Sequence, residues 1–391
     1  MKTEKVFSKR LNVVIMAMAT MTAFAATPTI TGVTAVQRYP WNGKVDISYT
    51  VTGDIAAEAK QQAVFTSLKV TAQDNVANKT YTATKLSGDM ALTAGTHKFV
   101  WDMNAEGLTF KSDDVVFNVS CETTSATYCV IDLSAGAEAS SYPVTYLAEP
   151  TDGGFNVEAY KTTKLVLKRI EAGSFKMNGS YDVTLSQPFF CGLFEVTQKQ
   201  YELVTGENPC SSTLYGKGNT YPVHFMYYNK IRGSSNGAKW PSSSAVDSTS
   251  FMGKLRARTG LDFDLPTEAQ WEYACRAGTT TTYSYGDSAN GNYMWYGGSP
   301  GKAHVVGTKS PNPWGLYDMH GNVWEWCLDW YAKSLSGGTD PKGSSLGSHR
   351  VVRGGSYSND ASTCTSSYRN YYPAGSGDRT SGFRLARTLP D

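Results

Sequence analysis

The chain has 391 residues, a formal net charge of +2, seven cysteines and five histidines. At that length two domains are the default, and so nearly neutral a balance excludes nucleic acid and anionic membrane as expected partners. No cysteine pair has zinc-knuckle spacing, and His97, His224, His304, His320 and His349 are too scattered for a metal cluster.

Lys2, Lys5, Lys9 and Arg10 precede an apolar run from Val13 to Phe24, and Ala23-Phe24-Ala25 has the small-x-small form of a signal-peptidase site. The run is too short for a stable bilayer anchor. Residues 1–25 therefore read as a signal peptide, with a buried N-terminal helix as the alternative. Its removal takes four basic residues and Glu4, a net +3, so the mature chain carries about −1. Such a chain has no membrane span and is secreted, periplasmic or held at the cell surface, where oxidation favours disulfides.

Residues 27–118 read as strands and turns. Val45, Ile47, Tyr49 and Val51 alternate with mostly polar neighbours, the pattern of a strand with one face buried. THKFVWDM and DDVVFNVS are two more such segments. Many short strands without a long helical pattern predict an immunoglobulin-like or fibronectin-like β-sandwich with no catalytic constellation. Residues 119–160 are a linker or additional strands, in which Cys121 and Cys129 could staple a short loop.

From residue 161 to the end the chain becomes rich in Trp, Tyr and Gly, and its helix starts are well marked. Thr197 is a candidate N-cap with Gln200 three residues on and Val196 placed to staple Tyr201; Gly206 gives the stop. Thr267 and Gln270 repeat the pattern, with Glu268 in the first turn and Gly278 just beyond the end. A third helix is predicted over 249–259, ending at Gly260. Beyond Gly278 periodicity is weak, and loops with short strands are expected.

FEVTQKQY, LPTEAQWEYACRAGTTTTYSYGD, SPNPWGLYDMHGNVWEWCLDWY, RVVRGGSY and SGFRLA occur in that order. Over about residues 165–388 they resemble the sulfatase-modifying-factor family, whose founding member is the formylglycine-generating enzyme. The resemblance implies an α+β C-type-lectin-like fold following the β-sandwich. It also implies a structural calcium at GNVWEW, with Asn322, Val323 and Glu325 as ligands, which suits a hard cation seeking oxygen. The alternative is that Glu325 accepts backbone hydrogen bonds in a buried turn. A second calcium site of the enzyme type is not expected, because MWYGGSPGKAHVVGTKSPN holds no acidic residue.

The enzyme resembled holds copper between two thiolates, ligands that select Cu(I). The matching positions after GGSY are Asn359 and Cys364. An amide oxygen binds Cu(I) poorly and forms no mixed disulfide with a substrate cysteine. Copper and formylglycine generation are therefore not expected, and Cys364 is a doubtful catalytic residue. Matched from the GFR side, Cys364 falls where the family has a structural cysteine, which implies a Cys275–Cys364 disulfide beside Cys191–Cys210 and Cys121–Cys129; joining Cys327 to Cys364 is the competing arrangement.

The loop SNDASTCTSSYRNYYPAGSGDRTS, from Ser358, is dense in Tyr, Asn, Ser, Asp and Arg, a composition that combines rigid amphipathic area with adaptable hydrogen bonding. Tyr357, Tyr368, Arg369, Tyr371 and Tyr372 are the candidate ligand contacts. For each, packing of the shell is the alternative, with Arg369 paired to an internal acid. A two-histidine-one-carboxylate iron site is not supported, and Asp318 and Asp329 read as turn and cap residues. The expected function is a binding or scaffolding module for a protein or glycan ligand. The alternative is a formylglycine-generating or other oxidative enzyme acting on proteins.

Overall fold

The computed structural model describes residues 29–38, 42–52, 63–90, 95–108, 115–151, 153–297 and 301–389. The expected signal peptide lies outside them. Two compact units divide between Ala126 and Thr127.

The first unit consists of two antiparallel sheets. One carries β1 (Thr29–Gln37), β2 (Lys44–Thr52), β5 (Leu86–Gly88) and β6 (Gly95–Asp102) in the order β1-β2-β6-β5; the other carries β3 (Ala63–Asp74), β4 (Lys79–Thr82) and β7 (Val115–Ser125) in the order β4-β3-β7. The alternating Val45, Ile47, Tyr49 and Val51 are all buried, as period-two patterning requires. They share one apolar core with Val70, Ala72 and Phe117 of the other sheet, and Trp101 meets Phe117 edge-on at 5.9 Å.

Residues 119–160 divide between the units. β7 runs to Ser125, after which β8 (Tyr128–Asp132) and β9 (Val144–Leu147) enter the principal sheet of the second unit. That sheet adds β10 (Lys164–Ile170), β13 (Phe189–Gly192) and β19 (Ala386–Thr388) in the order β19-β13-β10-β8-β9, antiparallel throughout. A second sheet, β17-β16-β14-β18, is made of β14 (Trp324–Trp330), β16 (His349–Arg353), β17 (Asn370–Pro373) and β18 (Ser381–Gly382). A third joins β11 (Gly173–Met177), β12 (Tyr181–Leu185) and β15 (Gly338–Thr339).

Helix α1 (Gln198–Thr205) begins at Thr197, whose side chain accepts from the Gln200 N–H while the Gln200 side chain accepts from the Thr197 N–H; Gly206 ends it in the left-handed region. A short helix that no cap announces, α2 (Tyr228–Arg232), follows. The third helix, α3 (Phe251–Thr259), is capped by Ser250 and stopped by Gly260. The fourth, α4 (Glu268–Arg276), has the full Thr267–Gln270 box. Its left-handed C-cap falls on Ala277, with Gly278 one residue beyond. All of α4 is buried, so caps rather than solvent must satisfy its end groups.

Among the described residues none of the expected disulfides is formed. Cys129, Cys191, Cys210, Cys275, Cys327 and Cys364 are all buried thiols, and the Cys121 side chain lies outside the described residues. Cys210 accepts from the His224 N–H at 3.3 Å, a contact of its own apart from Cys191 in β13. Cys275 stands 3.7 Å from His320 Nε2, and His320 Nδ1 donates to the Cys364 carbonyl at 2.7 Å. The imidazole thus contacts the Cys275 sulfur and the Cys364 main chain, while the Cys364 sulfur faces the Asp360 carbonyl. Burial pushes that ring down to about 4, so it is neutral.

Candidate functional site

The turn RGGSY follows directly from β16. Gly354 and Gly355 both have positive φ, 95° and 76°, a conformation glycine adopts freely. A Cβ on Gly355 would lie 2.5 Å from the Cys364 sulfur, so the turn closes onto that thiol and covers it. Cys364 is fully buried, with Asp360 O at 3.7 Å, and burial pushes its thiol up to about 12. Asn359 has the opposite position. Its carbonyl accepts from the Gly297 N–H, its Oδ1 accepts from the Ser356 hydroxyl, and it lines an open cleft of about 450 Å³. The two positions that would carry thiolates in the enzyme resembled are therefore an amide at the cleft and a thiol buried beneath Gly355.

Four aromatic rings wall the cleft: Trp324 at the start of β14, Tyr372 on β17, and Tyr215 and Phe225 from the segment between α1 and α2. Phe225 has φ +60°, uncommon for so bulky a residue. Its N–H donates to the Asp378 carbonyl at 2.9 Å, which ties the aromatic wall to the opposite loop. Asp378 closes a turn by accepting from the Thr380 N–H and hydroxyl at 2.8 and 2.6 Å. Arg379 lies over the Tyr215 ring at 5.3 Å.

The five candidate ligand residues go to different places. Tyr372 lines the cleft, and Tyr368, 40% exposed, tilts toward Trp324 at 6.1 Å. Tyr357 is fully buried, with its N–H donating to the Asn322 carbonyl. Tyr371 takes the other face of β17, as alternation along a strand requires, and rests on Tyr331 at 4.1 Å. Arg369 is paired with an internal acid, the Glu268 carboxylate, at 2.6 and 2.7 Å. Tyr215, Phe225 and Arg379 were missed: no periodicity or cap marks them, and only the folded loops bring them to Asn359 and its neighbour Ser358.

At GNVWEW the expected cation ligands do not converge. Glu325 gives both oxygens to the Arg384 guanidinium at 2.6 Å and one also to Trp271 Nε1 at 2.7 Å. Asn322 Oδ1 accepts from the His304 N–H, and its amide donates to Glu195 Oε2 at 2.6 Å. The Val323 N–H donates to Glu195 Oε1. Glu195 itself is fully buried, and burial together with Asp318 and Glu325 raises it well above the usual carboxylate range. Asp318, in a positive-φ turn, accepts from the Gly307 N–H, while its Oδ1 is buried without a partner. Among the described residues no three His, Cys, Asp or Glu side chains are grouped to hold a metal. Glu195 gave no signal in the sequence beyond its place in FEVTQKQY.

A Sulfatase-modifying factor enzyme 1-like domain matches residues 156–389. The formylglycine-generating enzyme of Streptomyces coelicolor is 40% identical over 126 residues, 28% of this chain and 38% of that protein. The chain thus spans less than half the length of that relative. "Chaperone protein LppX" of Paenibacillus barcinonensis is 29% identical over 259 residues, 56% of this chain and 88% of that protein. Among solved structures, Treponema denticola variable protein 1 is 28% identical with a TM-score of 0.49, covering 58% of this chain and 96% of that one.

Proposed function

Because the chain belongs to the sulfatase-modifying factor enzyme 1-like family over residues 156–389, we propose that it uses the family's fold as an exported binding module. Its aromatic cleft takes a protein or glycan ligand and performs no copper oxidation. The observation that carries this reading is Asn359 at the cleft with the neighbouring thiol, Cys364, sealed under Gly355. A Cu(I) site needs two accessible thiolates, and these residues do not fit one. Half-buried rings such as Tyr215, Phe225 and Tyr372 offer contact area at little entropic cost, as ligand surfaces do.

The test is aerobic incubation of the mature chain with Cu(I) and cysteine-containing peptides, read by mass spectrometry for the aldehyde. None is expected; aldehyde that disappears on Cys364→Ser would overturn the proposal.

Three further expectations belong with it. The N-terminal unit acts as an immunoglobulin-like spacer or attachment domain, a reading supported by its two sheets on one apolar core. Residues 1–25 direct export, supported by their basic-then-apolar order; no described helix is long and apolar enough to cross a membrane. A structural calcium at GNVWEW, with Asn322, Val323 and Glu325 as the expected ligands, is the third; the orphaned Asp318 Oδ1 and the buried Glu195 carboxylate beside that segment support a cation there. Chelation is expected to lower the melting temperature and added calcium to restore it. An unchanged melting curve would remove the ion from the reading.

A further inference from the structure

Apart from the cleft, the second unit has a half-enclosed cavity of about 270 Å³ between the start of α4 and the loop that follows β14. Its polar wall is Glu268, Asp329 and Arg369 with the hydroxyl-bearing Ser334, Ser336 and Ser344. Asp329 is 3% exposed. Its Oδ2 caps α4 by accepting from the Glu268 N–H at 2.7 Å, but no hydrogen bond from any described residue reaches its Oδ1. That oxygen is left to the cavity, where a donor on an entering molecule would engage it. The loop leaves room over that oxygen only because position 343 is glycine: at φ +70°, a Cβ there would stand 2.8 Å from Oδ1.

The remaining charges narrow what can enter. Arg369 holds Glu268 through Nε and Nη2 and donates from Nη1 to the Ala332 carbonyl, so it has N–H capacity left toward the cavity. A cation would meet Arg369, and an anion would meet Asp329 and Glu268. A hydroxyl both donates and accepts, which matches a carboxylate oxygen, serine hydroxyls and a guanidinium on one wall. Leu335 and Trp330 complete the lining with apolar surface for C–H groups. The volume is below the range typical of drug-sized ligands, about 300–1,000 Å³, and suits a single ring.

We propose that this cavity binds a small neutral polyol, a monosaccharide or cyclitol, with one hydroxyl donating to Asp329 Oδ1 and neighbouring oxygens accepting from Arg369 and the serines. This site is separate from the cleft and does not depend on its function.

Ligand-observed NMR on the full mature chain would use glucose, galactose, mannose, N-acetylglucosamine and myo-inositol as probes, with butylamine and acetate as charged comparators. At least one polyol is expected to bind saturably. Asp329→Asn, which must keep an oxygen on the Glu268 N–H and so turns its NH2 toward the cavity, should weaken that binding about fivefold, the effect of one lost hydrogen bond. Ser336→Trp, on an exposed loop position, should abolish it with the melting temperature unchanged. No saturable binding by any polyol, binding indifferent to both substitutions, or preference for butylamine or acetate would each overturn the proposal.

Discussion

In the first unit the buried face of β2 is Val45, Ile47, Tyr49 and Val51, packed on Phe99, Trp101 and Phe117. In the second, Arg232, Arg350, Arg353 and Arg384 are each fully buried. Arg384 clamps Glu325, Arg353 reaches Glu272, and Arg232 meets Asp264 at 2.7 Å; Arg350 lies over the Trp330 ring at 3.3 Å and donates to the Leu328 carbonyl. An apolar core degrades gradually when a methyl group is removed, whereas an ionic core leaves an uncompensated charge when one partner is lost. The second unit needs such ties because its loops, poor in regular structure, must be held at fixed positions around the cleft.

The sharpest way to break this contrast is Glu325→Gln, which takes the carboxylate from a fully buried Arg384. A loss of about 3–5 kcal/mol is expected from denaturant unfolding, confined to second-unit amides when followed by hydrogen exchange. A loss seen only with calcium present would instead make Glu325 a cation ligand.

A second effect is pH-dependent. Burial, and then the Glu268 carboxylate, raises Asp329 to about 7, against the pull of Arg369 and Arg350. An acid whose folded value lies above its unfolded one holds more protons when folded, so its contribution is intact below the unfolded value of about 3.9 and is lost as pH rises through about 7. Asp329→Asn should flatten the fall in stability between those limits, measured by urea midpoints across the range. An unchanged slope would reassign that fall to other groups.

The smallest effect is expected in the apolar core. Ile47→Val should cost about 1 kcal/mol and leave second-unit exchange unaltered. A cost comparable with that of Glu325→Gln would erase the distinction between the two cores.

What could be read from the sequence follows the same division. Thr197 with Gln200 and Thr267 with Gln270 announced their helices because a capping box is written within four residues. The alternation in β2 is likewise local. Tyr215 and Asn359, which share the cleft, are separated by most of the second unit, and Arg369 finds Glu268 across 101 residues. No short-range pattern encodes such pairs. The five family phrases were legible as a resemblance, but the burial of Cys364 was not: Gly355 covers it only after the chain has closed.

The sealing of Cys364 beneath Gly355 also gives the molecule a built-in clock. A thiol-reactive dye can label it only when the RGGSY turn lifts, and labelling in native buffer then counts those openings one molecule at a time. If ligand in the cleft holds the turn down, occupancy would be recorded as a slowing of that reaction, whatever the ligand is.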